Sequence, residues 1–179
     1  MMSGQQGVSG RVVVLTGEGK GKSSSAFGMV LRAAGWGQRV CVVQFVKGKW
    51  PTGEEKAASQ LATVDWFALG DGFTWNTVNP DQDRATSRRI WSFCQEKIRS
   101  GLYEMVVLDE ILFVIQQGWL TGEEIAHFIL TQKPRPLHLI LTGRGIAPEI
   151  LAVADTVTEM RAVKHAFQEG GKAVRGIEF

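Results

Sequence analysis

Apolar residues along this chain gather into short, nearly unbroken runs instead of alternating with polar ones. Val12–Leu15, Arg39–Val46, Val64–Leu69, Met105–Leu108, Leu137–Leu141 and Thr156–Met160 each read as a strand, with a last short one at Ala173–Phe179. A strand with one wet face alternates in polarity, whereas one covered on both faces is apolar nearly throughout. The segments between them carry helical spacing instead. Ser24–Ala34 sets Phe27, Val30, Leu31 and Ala34 on one face and ends at Gly35-Trp36-Gly37, whose glycines suit a C-cap and a turn. Glu54–Leu61 reads as a short helix. A long helix has Asn79 as N-cap, Pro80 at its first position, Asp81 and Asp83 in its first turn and Ser100-Gly101 at its stop, with Ile90, Phe93, Cys94 and Ile98 inward. Ile111–Gly118 is apolar and helical, Thr121-Gly122-Glu123-Glu124 is a capping box opening a helix through Leu130, and Pro148 starts a short helix. Strands alternating with helices predict an α/β domain, a mainly parallel sheet with helices on both faces, joined by right-handed crossovers. The first two strands form a βαβ unit expected to pair in parallel.

The first strand stops at Thr16-Gly17-Glu18-Gly19-Lys20-Gly21-Lys22-Ser23-Ser24, and an Ala-bearing helix begins there. Strand, glycine-rich lysine-bearing turn and helix together make a P-loop. Its glycines let successive N–H groups converge on phosphate oxygens, and the helix adds the positive end of its dipole. Lys22 is the lysine that reaches the β- and γ-phosphates, and Ser23 the hydroxyl that ligates Mg²⁺. Counting back from Gly21, Thr16 occupies the place of the motif's first glycine, which stands one residue later at Gly17. The plainer alternative is a glycine-rich turn that happens to carry lysines.

In parallel sheets ligands bind beyond the carboxyl ends of the strands, so the segments leaving those ends are the next candidates. Lys47–Gly53, with two lysines and a tryptophan, either borders the site or is a solvated loop. Gly70–Asn79 carries Phe73 and Trp75 between glycines and polar residues with no regular period; the pair reads as a contact for a flat, partly apolar ligand, or as an anchor folded back on the domain. Met105–Leu108 runs into Asp109-Glu110, a Walker B pattern whose carboxylates suit Mg²⁺; surface charge is the alternative. Thr142-Gly143-Arg144-Gly145 leaves the same edge, and Arg144 is placed for phosphate or ribose, or is a solvated cation.

At 179 residues, 44% hydrophobic and 21% charged, the chain suits one globular domain over 11–179 after a flexible, polar and glycine-rich segment at 1–10. A formal net charge of +2 without a basic block argues against nucleic acid and anionic membrane as partners. No apolar stretch at the start or elsewhere has the length of a signal or spanning segment, which predicts a cytoplasmic protein. Cys41 and Cys94 lack metal-ligand or redox spacing and are expected to be buried thiols.

Taken in order, Thr-Gly-Glu-Gly-Lys-Gly-Lys-Ser-Ser, Val-Gln-Phe-Val-Lys-Gly, Gly-Phe-Thr-Trp, Met-Val-Val-Leu-Asp-Glu, Leu-Thr-Gly-Arg-Gly and Val-Lys-His-Ala-Phe resemble the P-loop type of ATP:cob(I)alamin adenosyltransferase, across residues 11–179. The resemblance implies a RecA-like P-loop NTPase fold, a homodimer, and transfer of the 5′-deoxyadenosyl group of ATP to Co(I) of cobalamin or a precursor with triphosphate leaving. It implies an unusual orientation of ATP in the loop. It further implies that Phe73 and Trp75 press on the corrin's lower face, easing reduction of four-coordinate Co(II), with a reduced flavoprotein as a possible electron donor. Thr16 to Ser24 and Arg144 would bind the nucleotide, and Ser23, Asp109 and Glu110 the Mg²⁺. A P-loop small-molecule kinase and a RecA-like ATPase module are the alternatives; triphosphate, ADP on an acceptor, or ADP plus phosphate distinguishes the three.

Overall fold

The computed structural model describes residues 9–46, 52–70, 80–166 and 170–178. Phe73, Trp75, the Asn79 cap, the Lys47–Pro51 stretch and most of the 1–10 segment lie outside these residues. Six strands form one parallel sheet: β1 (Val12–Thr16), β2 (Val40–Gln44), β3 (Val64–Ala68), β4 (Met105–Asp109), β5 (His138–Thr142) and β6 (Thr156–Glu159), in the order β3-β2-β4-β5-β1-β6. The helices are α1 (Lys22–Gly35), α2 (Gly53–Ala58), α3 (Pro80–Arg99), α4 (Ile111–Gln116), α5 (Gly122–Gln132) and α6 (Pro148–Val153).

Side chains of each strand alternate between two apolar layers. One is formed by Leu15, Val42, Val107 and Ile140 under α1 and α2; the other by Val14, Val43, Leu108 and Leu141 under α3 to α6. Both faces of β1, β2, β4 and β5 are therefore covered, which explains why these strands lack a polar period, whereas β6 at the edge is exposed. Cys41 and Cys94 are buried and free in the second layer. Burial pushes the Cys41 thiol up to about 12 and Cys94 well above its usual range, so both stay protonated. No helix among the described residues is long and apolar enough to cross a membrane.

Four expectations are corrected. β1 and β2 are parallel but do not pair, because β4 and β5 insert between them and α1 crosses over both. On α1 the buried positions are Lys22, Ala26, Val30 and Ala33, so Leu31 is exposed and Phe27 leans sideways onto Trp66, with ring centroids 4.8 Å apart. The capping box at α5 forms by half: Thr121 accepts from the Glu124 N–H at 3.1 Å, while the Glu124 carboxylate accepts from the Thr121 hydroxyl instead of from its backbone. Where a strand is expected at Ala173–Phe179, the described residues 173–178 contain turns instead. The N–H groups of Ile177 and Glu178 both donate to the Val174 carbonyl, and β6 already occupies the edge of β1.

The turn after β5 passes close against the start of α4. Gly143 has φ 138, and a Cβ there would lie 2.8 Å from Leu112 Cβ and 2.9 Å from the Phe113 nitrogen at the start of α4. Gly143→Ala is expected to cost about 2 kcal/mol or more, from the backbone conformation and the overlap together, read as a lowered urea midpoint; an unchanged midpoint would show that α4 shifts freely.

Candidate functional site

The loop from Gly17 to Gly21 caps β1 and is pinned from outside by the chain that follows β6. The Met160 N–H donates to the Thr16 carbonyl at 2.7 Å, and the Gly19 N–H donates to the Met160 carbonyl at 2.7 Å. Gly17 has φ 101, and a Cβ there would overlap the Met160 carbonyl, so only glycine permits this approach. Gly21, at φ 114, is the N-cap of α1 and offers no side-chain cap, which leaves the first N–H groups of the helix to the loop's own concavity.

Lys22 turns back into this loop. Its ammonium donates to the Gly17 carbonyl at 2.8 Å and to the Gly19 carbonyl at 2.7 Å, and the residue is only 8% exposed. Burial lowers its pKa from the ordinary lysine range; the carboxyl of Glu110 opposes that, the Arg144 guanidinium reinforces it, and Glu18 opposes it again. The loop cation thus shares one electrostatic neighbourhood with residues from the ends of β4 and β5.

At the ends of those strands the side chains change abruptly from apolar to polar. Gln44, Asp109 and Thr142 close β2, β4 and β5 in register, on the face covered by α1, and all three are buried. Asp109 accepts from Gln44 Nε2 at 3.0 Å and from the Thr142 hydroxyl at 2.7 Å. Thr142 Oγ1 accepts from the Glu110 N–H at 2.9 Å, and Gln44 Oε1 accepts from Trp66 Nε1 at 3.0 Å. Glu110 follows with φ 64, the one positive value among described non-glycine residues, at the N-cap of α4. Burial first, and then the neighbouring Asp109, push its carboxyl up to about 7; Lys22 and Arg144 act against that.

Of the residues expected at the site, Glu18, Lys22, Asp109, Glu110 and Arg144 come together. Arg144 reaches across the edge to Glu18, Nη1 to Oε2 at 3.3 Å. Lys20 does not turn inward: its ammonium lies 3.4 Å from Glu178 of the C-terminal turns. Between the loop and those turns is a cavity of about 530 Å³ lined by Glu18, Arg144, His165, Lys172 and Glu178 among others. Ser23 sits in the first turn of α1, half-buried, and Ser24 is exposed. Thr16 is buried, and its hydroxyl oxygen has no hydrogen-bond partner among the described residues. Gln44, Trp66, Thr142 and Glu178 join the site without being among the residues expected there. For Gln44 and Thr142 a signal exists: Gln44 is a lone polar residue inside an apolar run and Thr142 one that ends such a run.

Ser23, Asp109 and Glu110 supply only hard oxygen donors, the type that Mg²⁺ takes. Among the described residues no cluster of three or more His, Cys, Asp or Glu side chains could hold a metal alone. An ion at this edge would therefore share ligands with phosphate and water, as Mg²⁺ does at nucleotide sites.

The model of the family described as ATP:corrinoid adenosyltransferase BtuR/CobO/CobP matches residues 8–179. The corrinoid adenosyltransferase of Escherichia coli strain K12 is 41% identical over 170 residues, covering 95% of this chain and 86% of that protein. That of Pseudomonas aeruginosa is 43% identical over 171 residues, covering 95% and 84%. Among solved structures, the cytoplasmic domain of the Thermomonospora curvata type VII secretion ATPase EccC superposes with a TM-score of 0.51 at 18% identity, over 87% of this chain and 20% of that one. That likeness concerns the fold alone, a RecA-like α/β arrangement.

The raised Glu110 carboxyl carries a pH signature. Between its ordinary value of 4.5 and about 7 the folded state holds a proton that the unfolded chain has released, so stability falls as pH rises through that window. Glu110→Gln removes this slope. In nucleotide-free protein its melting temperature is expected to gain on wild type from about pH 5 to about pH 7 and to hold that gain above. A difference independent of pH would show that Glu110 titrates normally.

Proposed function

The chain belongs to the ATP:corrinoid adenosyltransferase BtuR/CobO/CobP family, and from that premise we propose how its residues divide the ATP-dependent transfer of an adenosyl group to a corrinoid. The observation that carries the division is the Lys22 ammonium, seated in the loop on the Gly17 and Gly19 carbonyls and facing the β4 and β5 ends. A cation in a glycine-rich loop at the uncapped start of α1 suits a polyphosphate. The kinase and ATPase alternatives are not favoured by a family match that spans nearly the whole chain.

In this reading residues 11–179 act as one domain and the segment from Thr16 to Ser24 binds the triphosphate. Lys22 and the loop amides meet its charge, Arg144 supports the nucleotide from β5, and Lys20 joins them once it leaves Glu178. Co(I) of the corrinoid attacks C5′ of ATP; the cobalt–carbon bond forms as the C5′–O5′ bond breaks, and the electron pair leaves with triphosphate. No proton moves, so the protein's part is alignment and charge. Ser23 and Glu110 would hold Mg²⁺ with Asp109 behind them; the hard donors and the raised Glu110 carboxyl, which favours a neutralising cation, support the fit. When bound, that ion offsets the charge gathering on the departing triphosphate.

Phe73 and Trp75 are assigned to the corrin, pressing on its lower face so that Co(II) loses its axial ligand and is reduced more easily. Their place after β3, in a segment leaving the carboxyl edge of the sheet, is what supports this. A homodimer fed by a reduced flavoprotein, working in the cytoplasm where ATP is supplied, completes the proposal.

Incubation with ATP, Mg²⁺ and chemically reduced cobalamin should give adenosylcobalamin by its visible spectrum and triphosphate as the released product. Lys22→Ala should lower that turnover by about 100-fold or more, the scale of losing a preorganised charge at a leaving group, with the fold retained by circular dichroism. ADP as the product, or a fully active variant, would remove the reading.

The aromatic pair is tested by two rates. The Phe73→Ala, Trp75→Ala double variant should keep ATP affinity and lose adenosylation strongly when Co(II) must be reduced at the site by a protein donor, then recover much of the rate with preformed Co(I). A parallel fall in both rates together with a lowered melting temperature would instead indicate a folded-back anchor.

A further inference from the structure

Asp109 is gripped by two donors whose direction is fixed from behind. An indole N–H can only donate, so Trp66 Nε1, 3.0 Å from Gln44 Oε1, orients the Gln44 amide with its Nε2 toward Asp109. A backbone N–H likewise only donates, so Glu110 N, 2.9 Å from Thr142 Oγ1, leaves that hydroxyl's proton for Asp109 Oδ1 at 2.7 Å. Each carboxylate oxygen receives one bond, and the group cannot rotate without breaking both. The chain of bonds runs across β3, β2, β4 and β5, neighbours in the sheet.

Packing alone does not call for these residues. Gln44 is 6% exposed, Thr142 0% and Asp109 3%, at the ends of strands that are otherwise apolar, where Val or Leu would bury without any polar group to satisfy. A buried polar group left without its partner costs ~1–3 kcal/mol, so such a set persists only complete. The set ends at the residue before Glu110 and faces the layer under α1, the helix that opens with Lys22 and Ser23.

We propose that Gln44 and Trp66 are positioning residues for the divalent cation of the nucleotide site. With Thr142 they hold Asp109 in one orientation, with acceptor capacity left on each oxygen for a further donor such as a metal-bound water, while Glu110 is the direct ligand. This rests on the reading of the loop and β4 end as a Mg²⁺·ATP site.

The test is ATP binding to the full-length, corrinoid-free protein by calorimetry, with Mg²⁺ and with EDTA, the ratio of the two dissociation constants giving the metal's contribution. Gln44→Met keeps the volume and removes the donor; it should cut that ratio by about tenfold, the scale seen when the outer partner of a metal ligand is lost, while affinity in EDTA stays within about twofold. Trp66→Phe keeps the ring on Phe27 but frees the amide, and should cut the ratio by less. Thr142→Ser should retain it and Thr142→Val lose it. The positioning role is overturned if Gln44→Met and Trp66→Phe both keep the wild-type ratio, or if affinity falls equally with and without Mg²⁺. A wild-type protein that binds ATP with no response to Mg²⁺ would overturn the metal site itself, a separate result.

Discussion

A lysine ammonium drawn out of water has to be met by oxygen on several sides, and much of this edge of the molecule is arranged to do that for Lys22. The Gly17 and Gly19 carbonyls meet it directly, which obliges the loop to curl. That curl brings the Gly17 backbone so close to Met160 that the chain after β6 becomes the loop's outer wall. Glu110 and Glu18 supply opposing charge, and Arg144 is accommodated among them by pairing with Glu18. Moved to solvent, Lys22 would leave the carboxyls of Glu110 and Asp109 facing each other with less to offset them.

The order of the strands serves the same end. β1 carries the loop, β4 the carboxylates, and β5 lies between them with Thr142 and Arg144 at its end. A loop on β1 and carboxyls on a directly paired β2 would have left no strand to bridge them. Here the crossing helix α1 lies over β1, β5, β4 and β2 at once, so the helix that starts at the loop also roofs the layer into which Gln44, Asp109 and Thr142 point.

Most of this was legible in the residues because the relevant signals are local. Largely apolar runs marked β1 to β5, and Gly-Lys-Ser at a strand-to-helix junction marked the loop. Asp109-Glu110 lay at the end of a strand that had to be buried. What stayed hidden depends on neighbours distant in the chain. No local pattern says that β4 and β5 separate β1 from β2, so Gln44 could not be matched with Asp109, 65 positions away. Leu31 is exposed because the face of α1 that meets the sheet is the one carrying Lys22, Ala26, Val30 and Ala33, whose two alanines give a weaker apolar signal than Phe27 and Leu31 beside them. Ala173–Phe179 has strand-like composition, but its described residues close on themselves through the Val174 carbonyl and pair with no strand.

Glu110 occupies a left-handed backbone conformation that its side chain disfavours, roughly 1–3 kcal/mol worse than a residue suited to it. Glycine there would relieve the backbone and remove a half-neutral buried acid in one change, so the position proposed as the cation's ligand is also one where the fold gains by losing it. Screens for heat tolerance alone would therefore drift toward glycine at 110 and select robust proteins that lack this carboxyl. Stability and chemistry pull the same residue in opposite directions, and an engineered variant of this chain has to draw its extra stability from elsewhere, for example the exposed Leu31 and Trp36 along and just beyond α1.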